Sequence, residues 1–412
     1  MSSIKEHFEI PGRYKQWSLG LMAVGVISLI VGFILYGGHD QGTRFWAALL
    51  QNSVYFLLIV NAAMFFFCAV TLAMGGFVLT FRRVTEAISA SVIPIGIITF
   101  VILMCLVFGG HTAIYEWLDK DLVAHDEALK GKSGFLSRGF FVTWTTLTIG
   151  LWTVLGYKMR QLSRSIDNTP LTIEEGKKYI FKNTVWAALY IVWFALTVAS
   201  VTPWLWLMSI NAHWFSTMYS WYNFASSFVS GVALITIFVI YFKNQGYLEY
   251  VNEEHLHDLG KFMFAFSIFW TYLWFDQFML IWYANISEET VYFKPRFDTA
   301  NGGAYAGIFY LNLVINFLCP LLIFMSRGSK RNWGTVTFMS VLLIFGHWLD
   351  YFQMVFPGQH ISPDHVPLNL FDFGIALGFV GLIMWQTARV FAKFPTLAKN
   401  HPFLKESIIH HT

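Results

Sequence analysis

The sequence predicts an all-α integral membrane protein with ten transmembrane helices. Composition is the first sign. Of 412 residues, 56% are hydrophobic, 19% aromatic and only 12% charged, about half the charged fraction of soluble domains. Mean hydropathy is +0.54. The second sign is a series of ten apolar runs, each long enough at about 1.5 Å per residue to cross a hydrocarbon core of roughly 30 Å. The third is a charge pattern that alternates between successive connections.

The runs are predicted at 17–36, 53–76, 88–109, 138–158, 184–208, 217–242, 262–283, 304–326, 333–356 and 368–391, within one integral membrane domain. The first follows a polar stretch, Met1 to Tyr14. It is long and lacks a small-residue cleavage site, so it reads as a retained helix and not a signal peptide. Run three carries Pro94, run five Pro203 and run eight Pro320. Neighbouring helices satisfy the carbonyls that such prolines free. Between runs three and four, Trp117 to Ser137 is mixed in charge and too polar to insert, so it reads as an outer loop.

A net charge of +3 gives no basis for nucleic-acid binding. Cys68, Cys105 and Cys319 lie in apolar runs without CxxC or CxxCH spacing, so no metal site, iron–sulfur site or covalently attached haem is expected. A haem held between helices needs two axial ligands, and only His347 sits well inside a run.

The N-terminus, the C-terminus and the connections after runs two, four, six and eight hold 20 of the 27 Lys and Arg. By the positive-inside rule both termini are expected in the cytoplasm. That orientation gives the ionisable residues a depth. Asp276 stands alone in the run Phe262 to Tyr283, roughly 22 Å from its inner end. A carboxylate in such a run costs about 2.5–3.5 kcal/mol on insertion scales and is expected to face the protein interior. His347 and Asp350 share a helix face through their spacing of three. They too fall toward the outer side, as do Asp372 at the start of run ten and His111 and Glu116 at the end of run three.

These residues are the candidate site. Asp276, His347, Asp350 and Asp372 are read as a proton-handling cluster, and His111 and Glu116 as its outer mouth. Glu86, with Arg82 and Arg83, marks the inner mouth. A buried carboxylate beside a histidine suits proton transfer near neutral pH. The same pair also suits a structural hydrogen bond between helices, and Asp372 also suits a helix-start residue favoured by the macrodipole. Thr145, Asn223, Ser226, Asn312 and Asn316 suit either a water chain or helix–helix contacts. Trp204, Trp206, Trp214, Trp221 and Tyr222 are dense enough to line a cleft for a flat ring, or form an interfacial belt.

Several stretches resemble a known family. They are His257-Asp258-Leu259-Gly260-Lys261 leading into Phe262–Tyr283, then Ala284-Asn285-Ile286-Ser287-Glu288-Glu289-Thr290. With them go Leu207-Met208-Ser209, His213-Trp214-Phe215-Ser216-Thr217, Gly346-His347-Trp348-Leu349-Asp350 and His111-Thr112-Ala113-Ile114-Tyr115-Glu116-Trp117. These resemble the quinone-binding-type membrane subunits of alternative complex III, a bacterial quinol:electron-acceptor oxidoreductase. That complex has two such subunits, both similar to the polysulfide-reductase membrane subunit, and the chain looks most like the smaller of the two.

The resemblance implies two antiparallel four-helix bundles, runs two to five and six to nine, plus two peripheral helices. It implies a bacterial inner (plasma) membrane location and a respiratory electron-transport role. The implied partners are a paralogous quinone-binding membrane subunit, an iron–sulfur subunit, c-type haem subunits and a terminal oxidase. Quinone or quinol and phospholipids are the implied non-covalent ligands. No redox centre of its own is implied, which makes proton conduction the expected contribution. Run five departs from the family pattern: Pro203 to Ser209 carries no acid where the family has an aspartate, and Asp276 stands where a small polar residue is usual. An acid relocated to face the same cavity would account for both. If runs two to five repeat as six to nine, Leu205 falls near the level of Asp350. A secondary transporter and a catalytically silent scaffold paralogue are the alternatives.

Overall fold

The computed structural model describes residues 6–38, 42–297, 303, 305–358 and 368–410. The predicted start of run eight at residue 304 lies outside them. Ten helices are long and apolar enough to cross a membrane: α1 Gly12–Tyr36, α2 Thr43–Leu72, α3 Arg82–Phe108, α4 Arg138–Arg164, α5 Ile173–Asn211, α6 Met218–Asn244, α7 Glu253–Ala284, α8 Ala306–Ile323, α9 Trp333–Gly358 and α10 Leu370–Phe391. No strand occurs among the described residues.

Helices α1, α2, α3, α5 and α7 begin earlier than hydropathy predicts, and for α2, α5 and α7 the reason is polar. Helix α2 starts ten residues before the predicted 53 because Arg44, Gln51 and Asn52 are buried with partners, not exposed in a loop. Gln51 donates to the Trp348 carbonyl (3.1 Å), and Asn52 accepts from the Trp348 indole (2.8 Å). Helix α7 is extended inward by a capping box between Asn252 and His255. Helix α5 gains the same device from Thr172 and Glu175. Such boxes satisfy backbone N–H groups that a bare helix start leaves unpaired.

Two of the three prolines follow irregular turns. Helix α5 carries a π turn over Thr197–Val201, ahead of Pro203, with Ser200 off helical geometry (φ −149°, ψ −106°). The Ser220 hydroxyl of α6 donates to the Ser200 carbonyl, so a neighbour satisfies the freed backbone. Helix α8 carries a second π turn, Val314–Leu318, ahead of Pro320.

Helices α2 and α6 are central: 83% of the apolar window of each is buried, against 17% for α1. Helix α2 packs on α3, α5, α6, α9 and α10, and α6 packs on α2, α5, α7 and α9. Further contacts join α3 to α4, α4 to α5, α7 to α8 and α8 to α9. Helices α1 and α10 form their own close pair. They cross at Gly25 and Gly378, where a methyl group on Gly25 would lie 2.5 Å from the Gly378 Cα. Small residues permit that approach.

The segments flanking α1 and α10 meet at one end of the molecule. Lys399 pairs with Glu6 (2.5 Å), and the Thr396 amide donates to the Glu6 carbonyl (2.9 Å). This is called the basic end below, and the opposite one the distal end.

Candidate functional site

Asp350 is the centre of a buried polar site built by four helices. It is fully buried, and helices α6, α7 and α8 each send it a donor. Tyr222 of α6 donates its hydroxyl to Oδ1, Trp270 of α7 donates its indole N–H to Oδ2 (2.9 Å), and Asn312 of α8 donates its amide to Oδ1 (3.0 Å). His347, one turn back on α9, places Nδ1 3.8 Å from Oδ2. The Ser226 hydroxyl lies 3.0 Å from the same nitrogen, and the Trp270 ring stands edge-on to the imidazole at 5.4 Å. Spacing of three on α9 thus puts both groups on one face, as expected.

The backbone makes room for this cluster. Gly346 lies so close to Ile315 and Asn316 that a Cβ there would collide with both. Its absence lets α8 approach and seat Asn312 on the carboxylate. Asn316 extends the network by donating to Asn312.

Among the described residues, the buried His347 Nε2 and Asn316 Oδ1 at the site make no hydrogen bond. Unpartnered polar atoms in a dry interior are costly, so these are the atoms that water or a transferred proton would engage. Toward the basic end the neighbouring faces continue with Ser230, Ser267, Ser340 and Thr236, all fully buried. His347 Nδ1 and Asp350 Oδ2 face each other at 3.8 Å, and the donors from Tyr222, Trp270 and Asn312 hold the orientation of the carboxylate.

Asp276 does not join this cluster. It is only half-buried, it makes no hydrogen bond or ion pair to a described residue, and Tyr272, Phe275, Met279 and Leu280 around it point outward. Adjacent Gln277 donates to Ser216, just before α6, and Trp274 packs on Phe309 near the start of α8 (5.1 Å). Asp276 therefore stands level with the distal ends of α6 and α8, because α7 overshoots both by about two turns. The acid is not in an interior cavity.

Asp372 is also separate. It forms a two-pronged ion pair with Arg44 of α2, with one hydrogen bond of 3.0 Å, and Arg44 lies 4.4 Å over the Phe356 ring. Asp372 also caps its own helix by accepting from the Asn369 amide (2.9 Å). The helix-start alternative describes it better than membership of the His347–Asp350 pair.

At the distal end, His111 packs its ring on Trp46 (4.8 Å). Glu116 lies 3.9 Å from His213, which bonds Asp126 at 2.6 Å. The hydrogen bond from His213 holds the Asp126 carboxyl below its usual range, with the Leu129 amide adding to it. Asp119 and Asp126 cap two short helices, Lys120–His125 and Glu127–Lys132, so the predicted outer loop is ordered.

At the basic end the expected open mouth is a closed knot. Glu86 is fully buried and takes Arg83 at 2.9 Å, Arg82 at 3.4 Å, Arg164 at 3.5 Å and the Ser163 hydroxyl. Arg83 also pairs with Asp167. Burial raises the Asp167 carboxyl above its usual value even though Arg83 opposes the rise. Further along α2 to α5 the polar groups close in separate pairs: Tyr190 on Asn61, Trp152 on Thr197 (3.0 Å) and Trp206 on Thr145 (3.0 Å).

The aromatic cluster does not form one cleft. Trp206 turns to Thr145, Trp214 stacks on Tyr292 (4.0 Å), Trp221 points outward and Tyr222 serves Asp350. Sequence reasoning missed Trp270 and Arg44. Trp270 falls seven residues after Met263 on the buried stripe of α7, and that spacing was the available signal. Among the described residues no group of three or more His, Cys, Asp or Glu is placed to hold a metal. No family model matches the chain, and no curated protein matches it.

Proposed function

We propose that this chain is a membrane subunit of a respiratory quinol:electron-acceptor oxidoreductase, of the alternative complex III type, and that it handles protons and has no redox centre of its own. The observation that carries the proton role is the fully buried His347–Asp350 pair, addressed by donors from α6, α7 and α8. A carboxylate kept in a dry interior with a histidine partner and unpartnered polar atoms around it is suited to taking up and releasing a proton. The fully buried hydroxyls of Ser226, Ser230, Ser267, Ser340 and Thr236 on α6, α7 and α9 support a route toward the basic end. The quinol assignment rests on the family resemblance of the stretches around His257, His213, Gly346 and His111.

The same proposal includes the grouping of α2–α5 and α6–α9 as two four-helix bundles. Each set makes a ring of neighbour contacts, which supports the grouping. It includes a bacterial inner membrane with both termini cytoplasmic, supported by the basic charge at that end. It includes association with a paralogous membrane subunit, an iron–sulfur subunit and c-type haem subunits. Mass spectrometry of co-purifying chains tests the partners. Recovery of the chain without any haem or iron–sulfur subunit would sink the assignment.

The proton role has its own test. Asp350→Asn and His347→Gln are made in the purified complex, and quinol turnover and proton release are followed together. The expected outcome is a loss of at least tenfold in proton release for Asp350→Asn at retained assembly. Unchanged proton release in both variants would leave the pair a structural hydrogen bond.

The two π turns are the features that favour a transporter instead. They fall on α5 and α8, the fourth member of one helix set and the third of the other, so they do not form the matching pair of broken helices that inverted repeats produce.

A further inference from the structure

A cavity of about 660 Å³ opens between the α1–α10 pair and helices α6 and α9. Its lining is ordered by polarity. Arg13 and Tyr14 at the start of α1, and Tyr241 and Gln245 at the end of α6, lie at the basic end. The remainder, including Leu234, Ile237, Phe56 and Ile344, is apolar. From Leu234 to Gln245 the groove follows α6 for about 16 Å. That is the depth of one leaflet of a hydrocarbon core of roughly 30 Å.

Arg13 gives the rim a positive charge: it is exposed and makes no ion pair or hydrogen bond to a described residue. Lys15, two residues on, turns to another face of α1, where it lies 6.0 Å over the Trp385 ring. Of the acids in the preceding segment, Glu6 is engaged by Lys399 and Glu9 stands at the exposed surface. The Tyr14 hydroxyl is already committed to the Met384 carbonyl at 2.9 Å, so the interior of the cavity offers no buried donor for a carbonyl headgroup.

We infer that this cavity is a binding site for an anionic phospholipid of the leaflet at the basic end. One acyl chain fills the groove beside α6, and the phosphate sits against Arg13. This assignment is independent of the electron-transfer role proposed above. A second cavity, of about 500 Å³, lies across the α1–α10 pair, against α2 and α3, and is lined only by apolar residues such as Leu29, Ile98 and Phe379. It has no charged rim and so no means of choosing a headgroup, which makes it the internal control.

Native mass spectrometry of the full chain, released from micelles containing equal phosphatidylglycerol and phosphatidylcholine, tests the site. One cation near the surface corresponds to a preference of about fivefold for the anionic lipid. Arg13→Gln is expected to lose that preference and still retain lipid. Ile237→Trp, which fills the groove, is expected to lose one bound lipid, with Leu234→Phe as the milder variant should the first not fold. Ile98→Trp in the apolar cavity is expected to leave the preference intact. Equal retention of both lipids by the unaltered chain would overturn the site, as would full retention in both groove-filling variants. One quinone per chain, released by Ile237→Trp in place of phospholipid, would overturn the headgroup assignment.

Discussion

Asp350 and Asp276 are both aspartates in long apolar helices, and their surroundings assign them opposite weights. Asp350 accepts from Tyr222, Trp270 and Asn312, so Asp350→Leu strands three donors. A stranded donor costs about 1–3 kcal/mol in soluble proteins and about 0.6 kcal/mol by double-mutant cycles in a membrane protein. The expected loss is therefore about 2–5 kcal/mol, read by unfolding in mixed micelles. Asp350→Asn keeps one acceptor and should lose less. Asp276→Asn has no partner to strand and should change stability by less than about 0.5 kcal/mol. A large loss at Asp276, or none at Asp350→Leu, would reverse this ranking. The His347–Asp350 pair was legible because spacing of three on a helix is local. Asp276 was misjudged because hydropathy reports only the composition of α7. It carries no information about where α6 and α8 end, and those ends set the depth of the acid.

Helix α2 shows how an element boundary hides from a hydropathy reading. Arg44, Gln51 and Asn52 read as a polar loop, yet all three are buried inside the first turns of the helix. Their partners, Asp372 and Trp348, lie about three hundred residues away, which no local pattern contains. The Arg44–Asp372 pair joins the peripheral α10 to the central α2, and breaking one side leaves a charge buried alone. Arg44→Met is expected to destabilise the fold by about 3–5 kcal/mol. Arg44→Met/Asp372→Leu removes both charges and should recover most of that loss, although Asp372 also serves the start of α10. A double variant as unstable as the single one would show that helix capping, and not the ion pair, is the main role of Asp372. The π turns followed the same division. Pro203 and Pro320 announced irregular helices, while the hydroxyl of Ser220 that satisfies the Ser200 carbonyl came from another helix.

At the scale of the whole molecule, the chain after α10 folds back and closes the basic end. Ser407 donates to the Phe77 carbonyl (2.8 Å), His255 meets the Ser407 carbonyl (3.1 Å), and His410 bonds Asp258 (2.6 Å). Ten apolar runs predict the bundle, but nothing in a polar tail reveals which loops it will cover. His401 gives that closure a pH dependence. Its ring stands edge-on to Tyr179 (5.6 Å), and its Nδ1 accepts from the Phe403 amide (3.2 Å), which requires the neutral imidazole. Burial, and then the charges of Arg82 and Arg83, push its pKa from 6.5 down to about 2. A base lowered on folding binds its proton more readily when released. The docked tail is therefore fully favoured above about pH 6.5 and loses stability as pH falls below that value. The His410–Asp258 pair holds another part of the same tail, so the readout must be local. Hydrogen exchange of the amides at 400–404 is expected to accelerate between pH 7.5 and pH 5.5 after correction for intrinsic rates. His401→Phe should abolish that acceleration while the Glu86 knot beneath it stays protected. Equal protection of these amides at both pH values in the unaltered chain would mean that His401 does not control the closure.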